Sequence, residues 1–141
     1  EIAVHRVSRP FEETHAKNTF EYGATDETGA VEMVMGGKAE GDLYKVRDNV
    51  VTLVHRHIHN VVVTINTLKT IDTGAGYLST AYDSVYHDPK TGEQKGSRQE
   101  FEDSYDQIGG YWILTRRVIR SEEGTSEFAF SNVALLQPVA V

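Results

Sequence analysis

From Thr19 onward the chain is cut by glycine, aspartate and asparagine clusters into short runs rich in Val, Ile, Thr, Tyr and Phe. The cuts fall at ATDETGA around Gly29, GGKAEGD from Gly36 to Gly41, Arg47-Asp48-Asn49, HDPKTGE around Pro89 and Gly92, QIGG at 107–110, and SEEGT around Gly124. No gap between runs is long enough for a crossover helix. Parallel neighbours need a dozen or more residues to return, so consecutive strands joined this tightly must pair antiparallel.

The spacing predicts strands near 19–24, 30–35, 43–46, 50–58, 61–69, 77–87, 95–106, 111–121 and 125–136. Alternation supports them. Phe101, Asp103 and Tyr105 point one way, while Glu100, Glu102, Ser104 and Asp106 point the other, towards water. YWILTRRVIR carries apolar residues on both faces at its start, which predicts a beginning buried on both sides and an end that emerges into solvent. Phe128 and Phe130 alternate with small residues and are expected in the core. Only the opening segment reads as helix: Ser8-Arg9-Pro10 followed by Glu12 and Glu13 predicts a short one ending near Ala16 or Lys17. The expected fold is therefore mainly β (α+β), a single domain over 1–141: one large, curved, half-barrel-like antiparallel meander with a short N-terminal helix.

Several function classes drop out. The chain has no cysteine, which removes disulfides, Cys-ligated metals and thiol nucleophiles. A net charge of −7 disfavours nucleic acid, whose phosphates call for Lys and Arg. No apolar stretch reaches the roughly 18–20 residues of a membrane-spanning helix.

The densest group of reactive side chains is HRHIHN at 55–60. On a strand the two-residue period puts His55, His57 and His59 on one face, where His-x-His could bring two imidazoles to a zinc or copper ion. His5, His15 and His87 lie in unrelated contexts, and the expected reading is a polar surface. IDTGAGY at 71–77 contains an Asp-Thr-Gly, yet no second copy exists to share a proton, and no helix follows to cradle phosphate. A tight connection using glycine's freedom is expected instead. The carboxylates of FEDSYD and SEEGT read as a solvated face and a turn. No catalytic constellation emerges, so no enzyme activity and no obligate cofactor are expected. The aromatics crowd the second half and could fill a core or line a cavity for a lipid or pigment.

The blocks DTGAGYLSTAYDSVYHDPKTGEQKG, FEDSY, YWILTRRVI and SEFAFSNVALL, with RPFEETHAKNTFEYGATDETGAVEM before them, resemble the cyanobacterial and plastid family catalogued as domain of unknown function 3386. The likeness runs from about Val4 to Gln137. That family typically carries a further aromatic-rich helical and strand-forming segment upstream, so the chain resembles the later part of the domain. The resemblance is not histidine-rich at HRHIHN. It implies an oxygenic phototroph, a place in the chloroplast stroma or cyanobacterial cytoplasm peripheral to the thylakoid, and no inherited reaction. The helix-then-sheet order is also similar, in architecture alone, to the half-barrel of outer-membrane lipoprotein carriers.

The leading expectation is a non-catalytic accessory protein docking onto protein subunits of a photosynthetic assembly, a photosystem or phycobilisome, through a sheet face. Tyr82, Tyr105, Tyr111, Trp112, Arg116 and Arg117 are the candidate partner or ligand surface. The alternatives are a carrier for a lipophile in the concave face, and a metal-binding protein using His55, His57 and His59.

Overall fold

The computed structural model describes residues 16–136. Nine strands follow one another: β1 (Phe20–Thr25), β2 (Val31–Met35), β3 (Leu43–Arg47), β4 (Val50–Ile58), β5 (Val61–Asp72), β6 (Tyr77–His87), β7 (Gln94–Ile108), β8 (Tyr111–Ser121) and β9 (Gly124–Ala129). They form one sheet in the order of the sequence, every neighbouring pair antiparallel, so the expected meander is what the chain makes. The sheet is open, with β1 and β9 as its edges.

The turn residues explain why each hairpin closes where it does. Asp48 and Asn49 both take positive φ, 51° and 63°, as a two-residue hairpin turn demands, and Gly109 and Gly110 do the same between β7 and β8. The β1–β2 turn is held by Asp26. Its Oδ1 accepts from the Thr28 N–H at 2.8 Å, the Thr28 hydroxyl at 2.6 Å and the Ala30 N–H at 3.1 Å, and its Oδ2 accepts from Lys45 Nζ on β3 at 3.0 Å. The Thr28 hydroxyl and the Lys45 ammonium, aided by the backbone donors, hold this carboxyl well below the usual carboxylate range. A carboxyl depressed in the folded state stabilises that state above its unfolded pKa, near 4, and the contribution is lost as pH falls towards the folded value. Asp26→Asn is therefore expected to lower the urea midpoint at pH 7 and to lower it by less near pH 2, where the contribution has partly gone. An equal drop at both pH values would show that the charge is not what matters.

Two of the expected strands differ from what the chain forms, and the expected helix falls outside the described residues. The predicted N-terminal helix lies outside the described residues except for Ala16 and Lys17, which form a turn. The described helical structure is one 3-10 turn, η1 (Gly37–Ala39), in the β2–β3 connection, and no helix among the described residues is long and apolar enough to cross a membrane. β9 stops at Ala129 rather than near 136: the Phe130 N–H still bonds Thr115 O at 2.9 Å, but Asn132 turns to a φ of 55° and leads the chain off the edge. β8 does not begin buried, since Tyr111 is 64% exposed, and its buried positions are Leu114 and Val118 in the middle.

Paired residues of an antiparallel sheet share a face, so the register sorts the side chains. One face, called apolar below, carries Met33, Met35, Tyr44, Val54, Ile65, Val63, Tyr82, Phe101, Leu114, Ile119 and Phe128. At its β1–β4 end, η1 lays Ala39 over Met35 and Tyr44, with Met33, Val51 and Val54 packed around them. The other face is charged. Arg116 bonds Glu127 at 2.7 Å, Arg120 meets Glu102 at 3.2 Å, and Arg98 meets Asp83 and Glu100. Val118, 2% exposed, lies in register with Glu102 and Glu127 beneath this lattice, a case of long charged side chains covering an aliphatic one.

Candidate functional site

The centre of the apolar face holds a polar network. Asp103 on β7 falls between Phe101 and Tyr105, on the apolar parity of its strand, and its side chain is 1% exposed. Arg117, directly across on β8, reaches it with two parallel bonds, Nε to Oδ1 at 2.8 Å and Nη2 to Oδ2 at 2.9 Å. The Tyr82 hydroxyl on β6 donates to the same Oδ2 at 2.9 Å. Tyr82 stacks on Phe101 at a centroid distance of 4.8 Å with the planes 8° apart, and the Arg117 guanidinium lies 5.9 Å from the Phe101 centroid.

The electrostatics follow from burial around one carboxylate. Burial, then the negative charge of Asp103, pushes the Tyr82 phenol upwards, and the same two causes raise Tyr105. The hydrogen bonds to Asp103 raise Arg117 further above its already high value. Tyr82 thus stays protonated and donating. The bidentate guanidinium and the phenol together fix the orientation of the Asp103 carboxylate.

The six candidate surface residues do not form one patch. Tyr82, Tyr105 and Arg117 come together around Asp103 on the apolar face. Trp112, 36% exposed, lies on the same face, in register with Gln107 towards the strand end. Tyr111 and Arg116 are on the charged face: Tyr111 opposes Ile108, and Arg116 opposes Ser104 while its Nε engages Glu127. Neighbours on a strand alternate in direction, so adjacent Tyr111 and Trp112, or Arg116 and Arg117, cannot share a surface. Ile58 and Tyr86, 38% and 37% exposed, continue the apolar face on the far side of the network.

The histidines also separate. His55 and His57 share the charged face, but His59 is in the β4–β5 turn with a φ of 53° and does not continue their row. His87 is brought into the row of His57 with Val62 between them. Among the described residues no group of three His, Cys, Asp or Glu converges as metal ligands. Asp72 of IDTGAGY serves its own turn, its Oδ1 accepting from the Gly74 N–H at 2.7 Å where Gly74 has a φ of 86°. A shallow crevice of about 150 Å³ lies elsewhere, lined by Arg47, Asp48, Thr52, Thr67, Leu68 and Lys69 among others, and is too small and polar for a lipid chain.

Sequence reasoning missed Asp103, the residue on which the site turns. The signal was present: a carboxylate at the apolar parity of Phe-x-Asp-x-Tyr, with arginines in the next strand to neutralise it. Asp83 was missed likewise. It is buried on the charged face and bound by Asn66 Nδ2 at 3.0 Å and by Arg98.

A family model described as Protein of unknown function (DUF3386) matches residues 1–136. No curated protein and no solved structure matches the chain.

Proposed function

Because the chain belongs to the DUF3386 family of proteins of unknown function, we propose a role read from its surface: a non-catalytic accessory protein that docks onto a larger protein assembly through its apolar sheet face. One observation carries this reading. A sheet with one apolar face needs a second layer to bury it, and η1 covers that face at its β1–β4 end. Beyond it Val63 and Leu114 are buried, whereas Ile58, Tyr86 and Trp112 on the same face are 38%, 37% and 36% exposed, and no large side chain among the described residues falls below 2% exposure.

The reading takes the sheet as curved and half-barrel-like with the apolar face inward. Register shifts in β1–β2, β3–β4, β5–β6, β6–β7 and β7–β8 supply the local bending that such a shape needs. The network of Tyr82, Phe101, Asp103 and Arg117 gives the face a rigid aromatic floor. Trp112, Tyr86 and Ile58 stand at its margin as anchors, the residue types on which interfaces concentrate their energy. The resemblance adds the setting, a photosystem or phycobilisome at the thylakoid surface, with chloroplast stroma or cyanobacterial cytoplasm as the compartment.

The test is co-purification of the full chain with thylakoid complexes from its own source. Trp112→Ala and Tyr86→Ala are each expected to weaken recovery by about 30-fold, the effect of losing an anchor of roughly 2 kcal/mol. The urea midpoint of both variants should stay near wild type, since both side chains are exposed. Recovery of the wild type as a free monomer would overturn the proposal. A reproducible small lipophile in native mass spectra would instead assign the face to a lipid or pigment.

A further inference from the structure

Among the described residues, His55 and His57 are both engaged through the same ring atom, Nδ1. They lie two residues apart on β4, on the charged face, with centroids 5.8 Å apart and planes at 84°. His55 Nδ1 is 3.0 Å from Thr64 Oγ1 on β5. His57 Nδ1 is 3.4 Å from Asp42 Oδ1, and that buried carboxylate is itself fixed by the His57 backbone N–H at 2.8 Å and by Arg56 Nε at 3.7 Å.

In both rings the polar partner sits at Nδ1. An N–H held there fixes the tautomer and turns the lone pair of Nε2 outwards, which is how metal-bound imidazoles are oriented by a neighbouring carboxylate or hydroxyl. The spacing is close. Two imidazoles on one ion, with metal–nitrogen bonds of about 2.0–2.1 Å, have centroids about 5 Å apart if the ion is tetrahedral and about 4.5 Å apart in the cis positions that square-planar Cu²⁺ offers. The observed 5.8 Å is about 1 Å wider than either separation.

We propose that His55 and His57 form a two-imidazole chelate for a borderline transition-metal ion, Cu²⁺ or Zn²⁺, whose remaining positions are taken by water. His87 is two strands from His57, about 9.5 Å away at the usual strand spacing, and takes no part. With no third ligand among the described residues, the site is an open, exchangeable one. Asp42 acts as a positioning residue that holds His57 and does not touch the ion.

The experiment titrates Cu²⁺ into the full, tag-free chain, followed by calorimetry and electron paramagnetic resonance. One equivalent with two coordinated nitrogens is expected. His55→Gln and His57→Gln should each weaken binding at least about 10-fold. Asp42→Asn should weaken it about 10-fold while keeping both nitrogens in the spectrum. His59→Gln and His87→Gln should leave it unchanged. If a variant fails to fold by circular dichroism, the nitrogen count on the wild type decides. Binding that survives in the double variant His55→Gln/His57→Gln, or a wild-type spectrum without two nitrogens, overturns the proposal.

Discussion

Arg117→Met is expected to lower folding stability by about 3–5 kcal/mol, because it strands a buried carboxylate without its counter-charge. The magnitude rests on burial: the Asp103 side chain is 1% exposed and that of Arg117 only 18%, so water does little to screen the loss. After the substitution only the Tyr82 hydroxyl is left of the side-chain donors that Asp103 has here, and one neutral donor cannot replace a bidentate guanidinium. Tyr82→Phe should cost less, about 1–3 kcal/mol, the loss of one bond to a charged acceptor. The triple variant Arg117→Met/Asp103→Leu/Tyr82→Phe should recover most of the loss, since apolar side chains of similar volume often replace a buried ion pair without penalty. Urea midpoints of the series check this. An Arg117→Met protein as stable as the wild type would mean that Asp103 reaches water or another cation.

Met35→Ala is expected to cost about 2–4 kcal/mol by the cavity it leaves. Met35 is 2% exposed, capped by Ala39 of η1 and flanked by Tyr44 on the next strand. This cluster lies on β2 and β3, far along the sheet from β7 and β8, and shares no partner with the Asp103 network. The Met35→Ala and Arg117→Met losses should therefore add to within about 0.5 kcal/mol. Hydrogen exchange should show where each acts: Met35→Ala raising exchange in β1–β3, Arg117→Met in β6–β9. A strongly non-additive pair would mean that the two ends are coupled through the middle strands.

Much of the fold was legible because its determinants are local. Alternation with period two and turn residues at the right places set eight of the nine strand positions to within a few residues, β4, β6 and β8 to their ends. β9 was read too long because Phe130, Val133 and Leu135 keep supplying apolar residues after the ladder stops, and the positive φ of Asn132 is a property of the folded chain. His59 was misplaced for a related reason. The period-two count ran on through a turn whose His-Asn pair lacks the glycine that usually announces one.

The site was legible only in pieces. That Arg116 and Arg117 face opposite ways follows from strand geometry alone, and so does the separation of Tyr111 from Trp112. That Asp103 joins Tyr82 and Arg117 depends on the register of β6, β7 and β8, which shifts between Ser84 and Tyr86 and again between Ser104 and Tyr105. Each shift moves the side chains beyond it relative to the partner strand, and alternation within one strand carries no information about it.

Pairing strictly in sequence order makes this sheet close to a one-dimensional lattice of hairpins. Each strand is ordered by the one before and the one after it, so order spreads by short loop closures and recedes from whichever margin is weaker, as in a stack of repeats. β1 and β9, exposed along almost their whole length, are the ends from which it recedes. A partner seated across the open face would span many strands at once and bind together units that the backbone leaves only serially linked. Docking would then supply the long-range cooperativity that the topology itself does not provide.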